Sequence, residues 1–306
     1  MENHTFSFFI LTFSTRASNR SALSVVFTLI YLTGVMLNFT IVIVIYWDRH
    51  LHIPMYLFLS NLSFVDICYT TTTVPKLIHT ILSGNYMMSF IQCFAQMYVF
   101  SHVVTTEDLV LFIMAYDRYV AICHPLHYHS ALSKKNCTLF MTSAWVIGGF
   151  NSLLATLTTS ITPICYSNTI THFFCELKAF ANISCPNVGF QLLTYMEVIF
   201  GVGLFLGSII SYIKVIIVIL HITSRDGRRK AFSTCSSHLI VLTMFYFTWM
   251  SEYIMPQSRH TQVFELTLSI VYATITPMLN PLIYSVWNKD VKRAELKMVG
   301  GKVNDE

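Results

Sequence analysis

The sequence predicts an all-α membrane protein: a seven-transmembrane helix bundle with a short amphipathic cytoplasmic helix after the seventh span. Three observations carry that prediction. Of 306 residues, 54% are hydrophobic and only 11% charged, against about 25% charged in an ordinary soluble domain. Seven apolar stretches reach the roughly 20 residues that a helix needs to cross a bilayer. The basic residues also divide unequally between the two sides that these stretches define.

The spans lie near Leu23–Tyr46, Pro54–Ile78, Ile91–Ile122, Cys137–Ile161, Phe190–His221, Ala231–Met255 and Phe264–Trp287. They are read as helices because an open sheet would leave backbone groups unpaired in lipid. The third and fifth are long enough to project past the bilayer. Before the first span, Phe6–Phe13 is a short apolar run, broken by Ser7 and Thr12 and without a preceding basic region. It makes a poor cleavable leader, so the first helix is expected to act as the uncleaved insertion signal. The chain reads as one domain over residues 1–306, with 1–22 outside, a long outer loop at 162–189 and a cytoplasmic tail at 288–306.

With the N-terminus outside, 14 of the 19 Lys and Arg residues fall on the inner side and 5, namely Arg16, Arg20, Lys76, Lys178 and Arg259, on the outer. Basic loops stay in the cytosol, so the net charge of +4 is a topology signal and implies no nucleic-acid partner. The sequon Asn3-His4-Thr5 then lies outside and makes Asn3 the expected glycosylation site. Asn182-Ile183-Ser184 is a second outer sequon.

Cys68, Cys123, Cys137 and Cys235 fall in helices or near the cytosol, where thiols stay reduced. Cys93, Cys165, Cys175 and Cys185 fall on the outer side, and four cysteines permit three pairings. His172-Phe173-Phe174-Cys175-Glu176 has metal-ligand residue types, but a bridged sulfur is a poor ligand. No metal site is assigned there.

Four strings narrow the reading. They are Met114-Ala115-Tyr116-Asp117-Arg118-Tyr119-Val120-Ala121-Ile122-Cys123, Pro54-Met55-Tyr56 followed by Leu59-Ser60-Asn61-Leu62-Ser63, Lys230-Ala231-Phe232-Ser233-Thr234-Cys235-Ser236-Ser237-His238, and Pro277-Met278-Leu279-Asn280-Pro281-Leu282-Ile283-Tyr284. Asp-Arg-Tyr and Asn-Pro-x-x-Tyr alone mark a rhodopsin-like receptor. The longer strings and the three-cysteine outer loop resemble the vertebrate odorant receptor family over nearly the whole chain. Departures are Leu37 before Asn38, Phe247 after Phe245-Tyr246, Trp287, and Asp108 after Glu107 at a position that is usually uncharged.

The resemblance implies Cys93–Cys175 and Cys165–Cys185 bridges. It also implies an activation switch of Asp117, Arg118, Tyr119, Tyr212, Asn280, Pro281 and Tyr284, and a polar cavity around Asn38, Asp66, Glu107 and Asn280. On the third helix Phe100, Val104, Glu107, Leu111, Met114 and Arg118 recur at spacings of 4, 3, 4, 3 and 4, which makes one inward stripe. Val104 and Leu111 read as ordinary packing. Glu107 lies about 16 Å along the helix from Arg118, at a depth where ionisable groups are costly and usually functional. Two close carboxylates, Asp66 and Glu107, would share a proton or take a cation such as sodium. Otherwise no cofactor is expected.

Ligand contacts implied by the resemblance are Phe100, Ser101, Val104, Thr105, Met196, Phe200, Tyr246, Trp249, Tyr253, Ile270 and Ala273. Most are apolar, as suits a small volatile compound. An amine site would want an acid near Phe100 or Ser101, and the sequence places none there. Glu197 and Glu252 are upper-helix acids without assigned partners, which would either favour a cationic ligand or simply meet water; a neutral odorant is expected. The implied partners are that odorant, membrane lipid and a heterotrimeric G protein of the olfactory stimulatory type that raises cAMP, with Arg225–Lys230 suiting the G protein or anionic lipid. The alternative is a rhodopsin-like receptor for another small ligand. A retinal protein would need a lysine in the seventh span, a transporter would show repeated halves, and no nucleophile–base set points to an enzyme.

Overall fold

The computed structural model describes residues 7–10, 17–166, 169–170, 172–254 and 262–298; Asn3 lies outside them. Helices α1 (Ala17–Trp47), α2 (Pro54–Ser83) and α3 (Phe90–Cys123) are followed by the single turn α4 (Tyr128–Ala131) and by α5 (Lys134–Ser160). After them come the short α6 (Leu177–Ala181), then α7 (Val188–His221), α8 (Arg225–Ile254), α9 (Gln262–Trp287) and α10 (Lys289–Met298). The long helices pack as a seven-helix bundle in which α3 touches α2, α5, α7 and α8, while α9 touches α1, α2, α8 and α10.

The bundle is built for lipid. Along α7, Leu192, Ile199, Leu206, Ile210, Ile213, Ile217 and Leu220 are each at least 50% exposed, an apolar surface that water would not tolerate on this scale. Polar side chains turn inward or back onto their own helix. Thr70, Thr72 and Thr73 donate to the carbonyls of Asp66, Cys68 and Tyr69, so their hydroxyls cost little in hydrocarbon.

Helix ends lie beyond the apolar stretches because a helix runs on to its cap, not to the edge of the hydrocarbon. Gly84 stops α2 in the left-handed region at φ 65°, its N–H bonded to Thr80 O, a conformation that glycine adopts without strain. Ser89 and Gln92 form a reciprocal capping box that starts α3. Asn187 Oδ1 accepts the Phe190 N–H at 3.2 Å and starts α7. The basic run expected before the sixth span is helical, so α8 begins at Arg225. In α10, Val291 and Ala294 are buried three residues apart while Lys292 and Lys297 are exposed, so the helix after the seventh span is amphipathic.

One end of the bundle is covered. Ser7–Ile10 forms strand β1, which pairs antiparallel with β2 (Met87–Ser89) and parallel with β3 (Thr169–Ile170). Phe8 is fully buried and packs edge-on against Phe94 and Phe180. Ser7–Ile10, from the apolar run near the start of the chain, is thus a strand that covers this end. The disulfides are Cys93–Cys175 and Cys165–Cys185; the first ties the loop to the top of α3, and the second staples the loop on itself.

The two bridges span 82 and 20 residues. Loop-closure entropy assigns them about 4.5 and about 3.3 kcal/mol. Thermal melting of purified protein should show Cys93→Ala/Cys175→Ala losing more stability than Cys165→Ala/Cys185→Ala; the reverse order would mean that the loop is held mainly by its own staple.

Candidate functional site

Beneath the covered end lies a small cavity of about 70 Å3. Phe100, Ser101, Val104, Thr105 and Asp108 of α3 form one wall, and Glu197, Val198, Phe200 and Gly201 of α7 face it. Phe245 and Trp249 come from α8, Ala155 from α5, and Glu176 and Leu177 from the loop. A Cβ at Gly201 would sit 2.7 Å from Trp249 Cζ2. The bare backbone there is what lets the indole lie against α7.

The sequence-expected contacts divide. Phe100, Ser101, Val104, Thr105, Phe200 and Trp249 line the cavity. Ile270 and Ala273 are buried in a core cluster against which Phe100 and Val104 pack, so they support the wall without forming it. Met196 is 57% exposed on a different face of α7 from Glu197 and Gly201. The Tyr253 and Glu252 side chains lie outside the described residues. Phe247 is 66% exposed and lines an apolar groove between α7 and α8, not the cavity.

Tyr246 sits one layer deeper. Its hydroxyl donates to Asp108 Oδ1 at 2.7 Å and lies 3.4 Å from Ser208 Oγ. The absence of an acid near Phe100 and Ser101 is the ground for expecting a neutral ligand, and the lining of the cavity bears on that expectation. Asp108, Glu176 and Glu197 all line the cavity, with no Lys, Arg or His among its described lining residues. Helical spacing could have found two of them, since Asp108 is three residues from Thr105 and Glu197 is four from Gly201. Glu176 has no such signal, because the bridge at Cys175 delivers it. Burial pushes the Glu176 carboxyl up to about 7, against the opposing pull of the Lys178 charge.

Midway down lies the polar layer. Pro281 has no N–H to offer the carbonyl four residues back, and Asn38 Nδ2 donates to that Pro277 oxygen at 2.8 Å and to Gly34 O at 3.0 Å. Asn280 Nδ2 donates to both oxygens of Asp66, at 3.1 and 3.3 Å. Glu107 is buried within electrostatic reach of Asp66. Asn38 Oδ1, Asn280 Oδ1 and the Tyr284 hydroxyl are buried without hydrogen-bond partners. No group of three or more His, Cys, Asp or Glu side chains among the described residues is arranged to hold a metal ion, and Cys175 of the His172–Glu176 string is spent in a disulfide.

At the far end, Arg118 bonds Asp117 Oδ2 through Nε and through a terminal nitrogen. Tyr128 donates to Asp117 Oδ1 at 3.0 Å. Tyr212 and His238 Nδ1 are 2.5 Å apart, joining α7 to α8. Tyr119 stacks under the Lys214 ammonium, 5.3 Å from the ring centre. Ser285 donates to Glu295 at 2.6 Å and ties α9 to α10. Arg225, Arg228 and Arg229 project from the first turns of α8 as exposed charges.

A family model described as olfactory receptor matches residues 27–302. The human olfactory receptor 1C1 is 40% identical over 298 residues, which cover 95% of this chain and 94% of that one. The rat olfactory receptor 1 is 42% identical over 270 residues, covering 88% and 86%. The crystal structure of squid rhodopsin superposes with a TM-score of 0.77 at 12% identity, covering 96% of this chain and 86% of the other; that likeness speaks for the fold.

Gly201→Ala must drive the Trp249 ring toward the cavity, since its new methyl would lie 2.7 Å from Cζ2. Overpacking of this kind costs about 1–3 kcal/mol. Agonist concentration–response curves should therefore shift by about tenfold or more at unchanged surface display, whereas unshifted curves would remove Trp249 from the ligand site.

Proposed function

The chain belongs to the olfactory receptor family, and on that footing we propose that it binds a small volatile molecule in the cavity between α3, α7 and α8. Binding activates a heterotrimeric G protein of the olfactory stimulatory type and raises cAMP. The protein is a multi-pass receptor of the plasma membrane, and its relatives are receptors and not enzymes. The proposed orientation puts the N-terminus and the disulfides outside, in keeping with the 14-to-5 asymmetry of basic residues.

One observation carries the reading. The three helices that meet at the cavity are the helices that hold the contacts at the other end. α3 runs from Phe100 to Arg118, α7 from Gly201 to Tyr212, and α8 from Trp249 back to His238. Gly201 and Tyr212 are about 16 Å apart along the axis. A ligand that shifts α8 against α3 and α7 therefore changes the Tyr212–His238 contact and the setting of Arg118. Asp117, Arg118, Tyr119, Tyr212, Asn280, Pro281 and Tyr284 are the proposed switch, and the exposed basic turns of α8 the proposed contact with G protein or anionic lipid.

Below the cavity, Asp66 and Glu107 with the free oxygens of Asn38 and Asn280 offer only oxygen ligands. That set suits a hard cation, and sodium is the proposed occupant. Asn3 remains the proposed glycosylation site.

The test is a cAMP response in cells given this receptor and the olfactory stimulatory G protein, over a chemically broad volatile panel. A response is expected from the wild type and none from Arg118→Ala at equal surface display. A normal cAMP rise in Arg118→Ala would remove that residue from the switch, and silence of a well-displayed wild type across the panel would count against the odorant reading.

A further inference from the structure

We propose that the cavity selects a protonated alkylamine, an apolar body with an ammonium head, through the carboxylates of Asp108, Glu176 and Glu197. The inference rests on the receptor reading above and replaces the neutral ligand expected from sequence.

The three acids come from separate elements: α3, the disulfide-tied loop and α7. Asp108 and Glu176 are each only 7% exposed, yet the protein leaves each short of partners. Glu176 Oε1 is buried without a hydrogen bond, and His172 Nε2 stands 3.5 Å from it, an ion pair only when the imidazole is protonated. Asp108 accepts from Tyr246 at Oδ1, which leaves Oδ2. Glu197 accepts from Asn151 at Oε2, which leaves Oε1. Buried carboxylates normally carry a counter-charge or a full set of donors. Here Lys178 acts on Glu176 from outside the cavity wall.

The rest of the lining says what kind of cation fits. Phe100, Phe200, Phe245 and Trp249 present aromatic surface to the same space, and ring faces attract ammonium groups. A bare divalent ion would want six or more oxygen ligands and no aromatic wall. An alkylamine satisfies both halves, because like a lysine side chain, with its pKa of roughly 10.4, it stays charged at neutral pH while its hydrocarbon tail packs on Val104 and Leu177. Ser101 and Asp108 are about 10 Å apart along α3, a length that a short alkyl chain matches. A neutral alcohol would complete the desolvation of the acids and return no charge to them.

The experiment compares n-hexylamine, cyclohexylamine and benzylamine with n-hexanol, cyclohexanol and benzyl alcohol. The readout is cAMP in cells whose surface receptor is counted by an N-terminal tag. The amines should act at concentrations at least about tenfold lower than their matched alcohols, the ratio expected of one charge-assisted contact. Asp108→Asn and Glu197→Gln should each shift the amine curves about tenfold or more to higher concentration, and Asp108→Glu should restore most of the response. If Asp108→Asn fails to reach the surface, Glu197→Gln and Glu176→Gln decide the matter. Alcohols as potent as amines, or amine curves unmoved by these variants, would overturn the assignment and leave the odorant reading standing. Silence toward both sets from a displayed receptor would overturn the assignment too, and the broad panel would then judge the receptor reading separately.

Discussion

A carbonyl that has lost its helical partner inside lipid must find another donor, and at Pro277 the donor is Asn38. Pro281 creates the vacancy by lacking an N–H, and the 2.8 Å bond from α1 fills it. One residue before that proline, Asn280 reaches Asp66 on α2. Three helices are thereby pinned at one depth by groups that no lipid could satisfy. Gln96 of α3 makes a further tie: it donates to Thr72 O of α2 at 2.9 Å, and its own oxygen accepts the Cys175 N–H at 3.1 Å. One amide thus joins α2, α3 and the loop that closes the bundle.

The ties of α8 are of another kind. It meets α3 through Tyr246 and Asp108, and α7 through Tyr246 with Ser208 and Tyr212 with His238. All are bonds between side chains that a small rotation of one helix would break, whereas the Asn38 bonds end on backbone carbonyls. Asp108 belongs both to the cavity lining and to this set. A ligand that competed for Asp108 would act on the bond that seats α8, and would so connect recognition to switching through one carboxylate.

Much of this was legible before the structure. Apolar length marked seven spans, and Asp66 and Glu107 stood out because ionisable residues at that depth demand partners, while Asn38 and Asn280 were added by the family resemblance. The helix ends were not legible, because caps such as Gly84 and Ser89 lie outside the apolar pattern. Nor was β1, since Ser7–Ile10 becomes a strand only by pairing with segments some 80 and 160 residues away. At the cavity, Phe100, Ser101, Val104 and Thr105 could be placed from the family resemblance. Glu176 could not, because its position is set by a disulfide and a loop fold. Met196 misled because adjacent residues of a helix point 100° apart, so that Glu197 faces in where Met196 faces out.

The claim that Asp66 and Asn280 hold α2 to α9 is tested most directly by exchanging them. Thermal melting of the purified receptor would compare Asp66→Asn, Asn280→Asp and the double exchange with wild type. Each single change leaves two like groups facing one another. The double change restores one carboxylate and one amide, so it should recover most of the stability that either single variant loses. A double variant no more stable than the worse single would mean that the pair does not hold the bundle, and that the order of its inner layer has another source.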